Sequence, residues 1–277
     1  LKYAIERIVE RHEILRSTIL YDNNLGCAIQ KVENRILKIE EETLAKKSDY
    51  KAIIKSEINC PFNLSNELPI KVKFYRIESG SKSLEEKLIL LIKIHHMASD
   101  GWSVNIFQKE LKAYYDAFVR NDLEFSLSPL EIQYKDFSLW EDVYLTGTTL
   151  EYQLEYWKNK LEDYHRLQFP TDYKRPSKID YRGANKKFVL SRKVSEKLRN
   201  LASRHETTLF CVLSSSINIL LAKYTNQEDI VIGGLIANRH HEQTKDLITL
   251  IQKGLKPEEL ILAAERQLKI SLNPGQI

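Results

Sequence analysis

The sequence predicts a mixed α/β (α+β) fold arranged as two lobes, and three features of its 277 residues carry that reading. Apolar residues recur in some stretches at intervals of three or four and run unbroken in others, as amphipathic helices and buried strands require. The two kinds of stretch alternate without a fixed period, which argues against a barrel and against a repeat array. A polar stretch bracketed by Pro170 and Pro176, and closing near Gly183, separates a first lobe over residues 1–170 from a second over 171–277.

The elements follow in order. Leu1, Ile5, Ile8 and Val9 fall at helical spacing, and Leu15 to Tyr21 reads as a strand running into the turn signal Asp22-Asn23-Asn24. A helix over Tyr50 to Ile58 stops near Pro61, because a proline ring cannot continue it. Pro69 opens a strand over Ile70 to Ile77, whose successor is the apolar run Leu88 to Ile94. Past Gly101, the residues Val104, Phe107, Leu111, Tyr114 and Phe118 form a helical stripe, with Ser103 as its expected cap. Leu150 to Leu161 gives another helix. Beyond the boundary the pattern predicts a strand at Lys187 to Leu190, a helix at Val194 to His205, a buried helix at Thr208 to Tyr224 and a strand at Asp229 to Ile236. In the tail, Pro257 opens an amphipathic helix.

Composition narrows the class. With 43% hydrophobic and 29% charged residues, the chain has the makings of a core and is neither disordered nor collagen-like. A net charge of +4 is too small for a strongly basic nucleic-acid binder. The longest mostly apolar stretch, Leu209 to Ala222, is interrupted by serines and too short for a bilayer, and no signal peptide is visible, so no membrane association is expected. Cys27, Cys60 and Cys211 lack metal-ligand spacing and read as buried thiols of a reducing compartment, which points to the cytoplasm. Leu1 already lies within a helix and Met97 is the sole methionine, so the chain reads as an excerpt. Asn63-Leu64-Ser65 matches a glycosylation sequon with no secretion signal beside it. No glycine loop of the nucleotide-binding kinds is present, and Ser214 to Ser216 lack the elbow that exposes a nucleophile.

The chemistry concentrates in His95-His96-Met97-Ala98-Ser99-Asp100-Gly101, at a junction of strand, loop and helix. Adjacent strand residues face opposite ways, so the two histidines divide their labour. One imidazole can accept a proton from an attacking amine or hydroxyl while its neighbour anchors the loop. Asp100 is placed to fix the turn by pairing with a distant cation, and Gly101 permits close backbone approach or an unusual dihedral. A metal site on one histidine and Asp100 is the competing reading, but no third ligand at suitable spacing completes it. His240-His241 follow Arg239 in a polar segment without partner spacing and read as an exposed loop.

This run resembles the His-His-x-x-x-Asp-Gly signature of nonribosomal peptide synthetase condensation domains, followed by Trp102 and Ser103 as in peptide-elongating members. Arg11-His12-Glu13-Ile14-Leu15-Arg16-Ser17 is similar to the family's early Arg-His-Glu-x-Leu-Arg motif, and Tyr134-x-Asp136-Phe137-x-x-Trp140 to another. Thr208 to Arg239, with Ala237-Asn238-Arg239, is similar to the start of the family's second lobe. The resemblance covers roughly residues 1 to 248.

The resemblance implies a two-lobed fold like chloramphenicol acetyltransferase, with a tunnel open to a carrier protein at each end, and here an incomplete second lobe and no first strand. It implies amide bond formation between a donor acyl or peptidyl thioester and an aminoacyl thioester acceptor. His96 is then the histidine most tied to catalysis, with His95, Asp100 and Gly101 beside it, and Asp100 pairs with Arg16. No cofactor or metal is bound by the domain itself; substrates ride on the phosphopantetheine of upstream and downstream peptidyl carrier domains, with an adenylation domain adjacent. Two other readings compete: an acyltransferase using coenzyme A thioesters, and a docking module that has lost turnover.

Overall fold

A computed structural model describes residues 1–249 apart from 25, 46–47, 79–86, 175, 179–182, 235–236 and 238. The tail helix expected from Pro257 lies outside the described residues. The chain forms two compact units. The first takes Leu1–Thr149 and the described residues of 236–254, and the second the described residues of 150–235. The division into these units falls at residue 149, whereas the sequence pattern places its lobe boundary after residue 170, and the segment from Arg239 to Thr249 groups with the first unit, burying Leu247 and Ile248.

In the first unit, α1 (Lys2–Arg11) buries Ala4, Ile5, Ile8 and Val9 on one face, as a 3.6-residue period demands. A single 3-10 turn leads into the antiparallel hairpin of β1 (Ser17–Asp22) and β2 (Cys27–Val32), turned through Gly26 at φ +65°. A second sheet has the order β3 (Ile39–Leu44), β4 (Ile70–Ile77), β5 (Lys87–Ile94); β3 runs parallel to β4, and β5 antiparallel to it. Between them, α2 (Tyr50–Asn59) starts at Asp49, whose carboxylate accepts the Ala52 N–H. Ile70, Val72 and Phe74, alternating along β4, join the α1 face and Ile106, Phe107 and Tyr114 of α3 (Gly101–Val119) in one core. Burial of this apolar surface stabilises the unit by about 25 cal/mol per Å² removed from water. The unit also holds α4 (Tyr134–Tyr144), whose Asp136 carboxylate accepts the Gln133 N–H at its start. Among the described residues, no single helix is long and apolar enough to cross a membrane.

The second unit begins within α5 (Gly147–Lys160) and contains α6 (Arg192–Arg204) and α7 (Leu209–Thr225), which pack together. Ser191 caps α6, Thr208 caps α7, and Asn226 ends α7 in the left-handed region at φ 55°. Three expectations change here. Lys187 to Leu190 is not a strand, and the described part of 229–236 makes only an isolated bridge at Gly233, because neither run finds a ladder. α7 is not a buried helix: of its residues only Val212 is buried, while Phe210, Ile217 and Leu220 are exposed. Its apolar residues surround the helix on all sides, so its packing with α6 leaves several of them exposed. The cysteines are not buried thiols either, since Cys27 and Cys60 are exposed and Cys211 is half-buried.

Candidate active site

The loop after β5 is built by three backbone commitments. β5 keeps its pairing one residue past its end, His95 N–H donating to Pro69 O at 2.8 Å. A 3-10 turn over His96–Ala98 follows, its end pinned by the buried Ala98. Asp100 then takes the extended conformation of an N-cap and its carboxylate accepts the Ser103 N–H at 2.8 Å, opening α3. A carboxylate at this position satisfies one orphan helix donor and complements the helix dipole. The cap is Asp100 and not Ser103; the serine lies one turn inside, fully buried.

The two imidazoles diverge. His95 is half-buried, and its Nδ1 accepts the Met97 N–H at 3.1 Å, which leaves the ring proton on Nε2. His96, on the first residue of the turn, is exposed, and no hydrogen bond to its ring is present among the described residues. Gly101 shows no unusual dihedral. Its φ is not positive, and a Cβ built on it meets no atom within 4 Å among the described residues, so neither dihedral nor crowding requires glycine there.

Asp100 pairs with Arg239, not with Arg16. Nη2 of Arg239 lies 3.2 and 3.3 Å from the two carboxylate oxygens, and also donates to Thr249 O at 3.1 Å. Nη1 donates to Thr244 O at 2.6 Å and Leu247 O at 2.8 Å. Burial lowers the guanidinium's pKa from its ordinary value, and Asp100 opposes that shift by charge and hydrogen bond. Ser103 ties the same knot: its Oγ lies 2.7 Å from Asp100 Oδ1 and 2.8 Å from Thr249 O, and accepts the Thr249 N–H at 3.0 Å. Arg16 instead lies 3.5 Å from Glu13, three residues before it on the same turn. Local geometry holds it there, and Arg239 fills the space at Asp100.

A second buried cluster holds the same returning segment. His12, 1% exposed, accepts the Ile248 N–H at Nδ1 (3.3 Å) and its Nε2 proton goes to Glu110 at 2.9 Å. Glu110 also accepts from Arg11 Nε at 3.0 Å, and Gln133 links the pair to α4 by donating to Arg11 O. Trp102 donates its indole N–H to Lys245 O at 2.9 Å, with Arg239 6.0 Å from its ring centroid. On α4, Trp140 stacks on Tyr144 at 4.9 Å and meets His241 edge-on at 4.8 Å, so His241 has an aromatic partner. Burial, with Glu141 adding to it, pushes the Tyr134 hydroxyl pKa up.

Arg239 and Glu110 are thus structural members of the site that spacing does not single out, and Ser103, expected as a cap, joins them as a buried link. Glu110 carries a signal: it falls on the buried stripe of α3, between Phe107 and Leu111, where a carboxylate needs partners. Among the described residues, no group of three or more His, Cys, Asp or Glu side chains could hold a metal ion. A groove of about 420 Å³ beside β4, lined by Leu37, Val72 and Lys73, includes no residue of the loop.

Known proteins resemble this chain in both sequence and fold. The family description "Condensation domain" matches residues 1–250. The chain is 32% identical over 263 residues to gramicidin S synthase 2 of Aneurinibacillus migulanus, covering 93% of this chain and 6% of that protein. It is 34% identical over 250 residues to cyclosporin synthetase simA of Tolypocladium inflatum, covering 90% of this chain and 2% of that protein. The chain is therefore a small fraction of the length of these relatives. Among solved structures, the X-domain from teicoplanin biosynthesis superposes with a TM-score of 0.76 at 21% identity, over 90% of this chain and 54% of that one. The epimerization domain from the third module of tyrocidine synthetase B gives 0.71 at 18% identity, over 94% and 62%. At such identities the structural likeness speaks for the fold.

Proposed function

This chain belongs to the condensation-domain family, and from that premise we propose that it forms an amide bond between a donor acyl or peptidyl thioester and an aminoacyl thioester acceptor. Both substrates would be presented on the phosphopantetheine arms of carrier domains, an upstream one for the donor and a downstream one for the acceptor, with an adenylation domain supplying activated acids. The domain itself needs no cofactor for this chemistry, because the thioester is already activated. The fold it implies is the two-lobed one of chloramphenicol acetyltransferase.

One observation carries the reading: His96 stands exposed, without a protein partner among the described residues, on a loop where the His95 ring and the Asp100 carboxylate are already committed to bonds. An α-ammonium group titrates near about 8, so the acceptor needs little help to reach its free-amine form. As the amine nitrogen attacks the thioester carbon, His96 takes the proton that the nitrogen must lose, and the thiolate of the donor arm departs. His95 shapes the turn below it. Asp100 acts through the loop, since its oxygens are taken by Arg239 and Ser103 and are not free to meet substrate. Holding amine and thioester together supplies much of the acceleration.

The test is a transfer assay with carrier-loaded donor and acceptor, read by intact mass of the acceptor carrier. Product with the wild type and its loss with His96→Ala supports the reading. A coenzyme A donor serving as well as the carrier-bound one would favour the coenzyme A acyltransferase. Wild type and His96→Ala both inactive, yet both binding carrier, would make the chain a docking module.

A further inference from the structure

Phe62 lies between α2 and β4, outside every motif that points to the site. Its ring meets the His95 imidazole edge to face, with centroids 5.7 Å apart and planes at 86°. Two lysines reach the same ring, Lys93 at 4.8 Å and Lys71 at 5.2 Å from its centroid. These lysines stand directly opposite each other across β4 and β5, where like charges repel. Each has its own compensation. Lys71 pairs with Glu67 at 2.9 Å. Lys93 donates to the carbonyls of Glu57 and Cys60 at the C-terminal end of α2, where carbonyls lack helical partners and the dipole favours a cation. The negative face of the phenyl ring attracts both ammonium groups. Phe62 is thus gripped by the end of a helix and by a pair of strands.

His95 needs a second restraint. Its single ring bond among the described residues, Met97 N–H to Nδ1, fixes the tautomer and closes the turn that carries His96. Rotation of an imidazole about its Cβ–Cγ bond is otherwise soft, because that torsion has broad wells. The edge-to-face contact with Phe62 stiffens it.

We propose that Phe62 is a positioning residue for the acyl transfer: it holds the His95 ring so that Nδ1 keeps the Met97 N–H and the turn presents His96. The proposal rests on the reading of His96 as the imidazole that meets the acceptor amine, and adds the residue that sets its turn. The experiment joins two readouts on the full chain. Nitrogen-15 spectra of the histidine rings report the His95 tautomer without any substrate, and carrier-loaded transfer gives kcat and KM. Phe62→Leu, which fills space without a ring, should shift His95 from a single Nε2–H pattern to a tautomer mixture. It should lower kcat about ten- to a hundredfold, as a small misplacement can, with KM for the carriers unchanged. Phe62→Tyr should restore both. An unchanged His95 spectrum in Phe62→Leu overturns the proposal, as does a Phe62→Tyr variant no better than Phe62→Leu. Should Phe62→Leu not fold, Lys93→Met keeps the ring but loosens it, and an unchanged His95 spectrum there overturns the proposal equally. If the spectra shift as expected while even the wild type makes no amide, the positioning of His95 stands and the assignment of function falls.

Discussion

Replacing Arg239 by methionine removes the cation that Asp100 faces while keeping the aliphatic bulk. The guanidinium's side chain is 2% exposed and that of Asp100 14%, so solvent screening is slight. Breaking such a pair by removing one partner costs about 3–5 kcal/mol, because the remaining charge stays uncompensated. The carbonyls of Thr244 and Leu247 lose their Nη1 donor as well; each unsatisfied group costs about 1–3 kcal/mol if water cannot reach it. These losses share one side chain and do not add, so about 4 kcal/mol is the expectation. At about 2–4 °C per kcal/mol for a unit of this size, the melting temperature should fall by roughly 8–16 °C. Urea titration of wild type, Arg239→Met, Asp100→Asn and the double variant then gives the coupling, expected above about 1 kcal/mol. The same cycle with Arg16→Met should be additive within about 0.5 kcal/mol. Coupling to Arg16, or additivity with Arg239, refutes the assignment of the pair.

Other outcomes follow from the same geometry. Glu110→Leu strands Arg11 Nε and the His12 Nε2 proton in the interior and should destabilise by about 3 kcal/mol in urea; a loss under about 1 kcal/mol would mean that the cluster is not a unit. Gly101→Ala should leave stability within about 1 kcal/mol of wild type or raise it, since the backbone there suits any residue; a drop in transfer activity without unfolding would locate the need for glycine in the approach of substrate. Glu67 has its pKa lowered by the Asn63 backbone N–H and by Lys71. A carboxylate bound more tightly as its anion in the folded state stabilises fully above its ordinary value of 4.5 and loses that contribution as pH falls through the lower, folded value. Glu67→Gln should therefore flatten the acid limb of stability against pH, and an unchanged slope would count against the bond.

Much of the first unit is legible because its signals are local. Pro69 and the alternation along Ile70 to Ile77 mark β4 to the residue, and the stripe of α3 follows from its 3.6-residue period. β3 does not read as a strand, since Ile39–Leu44 carries three consecutive glutamates, poor strand formers, and exists by pairing in parallel with β4. α4 buries only Phe137 and so shows no stripe. Asp100's need for a cation is legible from its place after the strand, but its partner is not. Arg16 belongs to the same unit as an early motif, and nothing in residue spacing says that a segment beyond residue 236 folds back onto that unit. The apolar run of α7 reads as core by composition, yet composition does not say whether anything lies against it.

The order in which a ribosome delivers these residues matters because Asp100 and Arg239 are 139 positions apart. At about 5–20 residues per second, roughly 7–28 s separate the synthesis of the two. For most of that interval β4, β5 and α3 are made, but the carboxylate has only water and Ser103 to bind. The nascent chain must therefore wait for its late arginine before the loop bearing His96 can settle, and any pause in translation between the two lengthens the period in which a helper protein could hold the half-finished sheet.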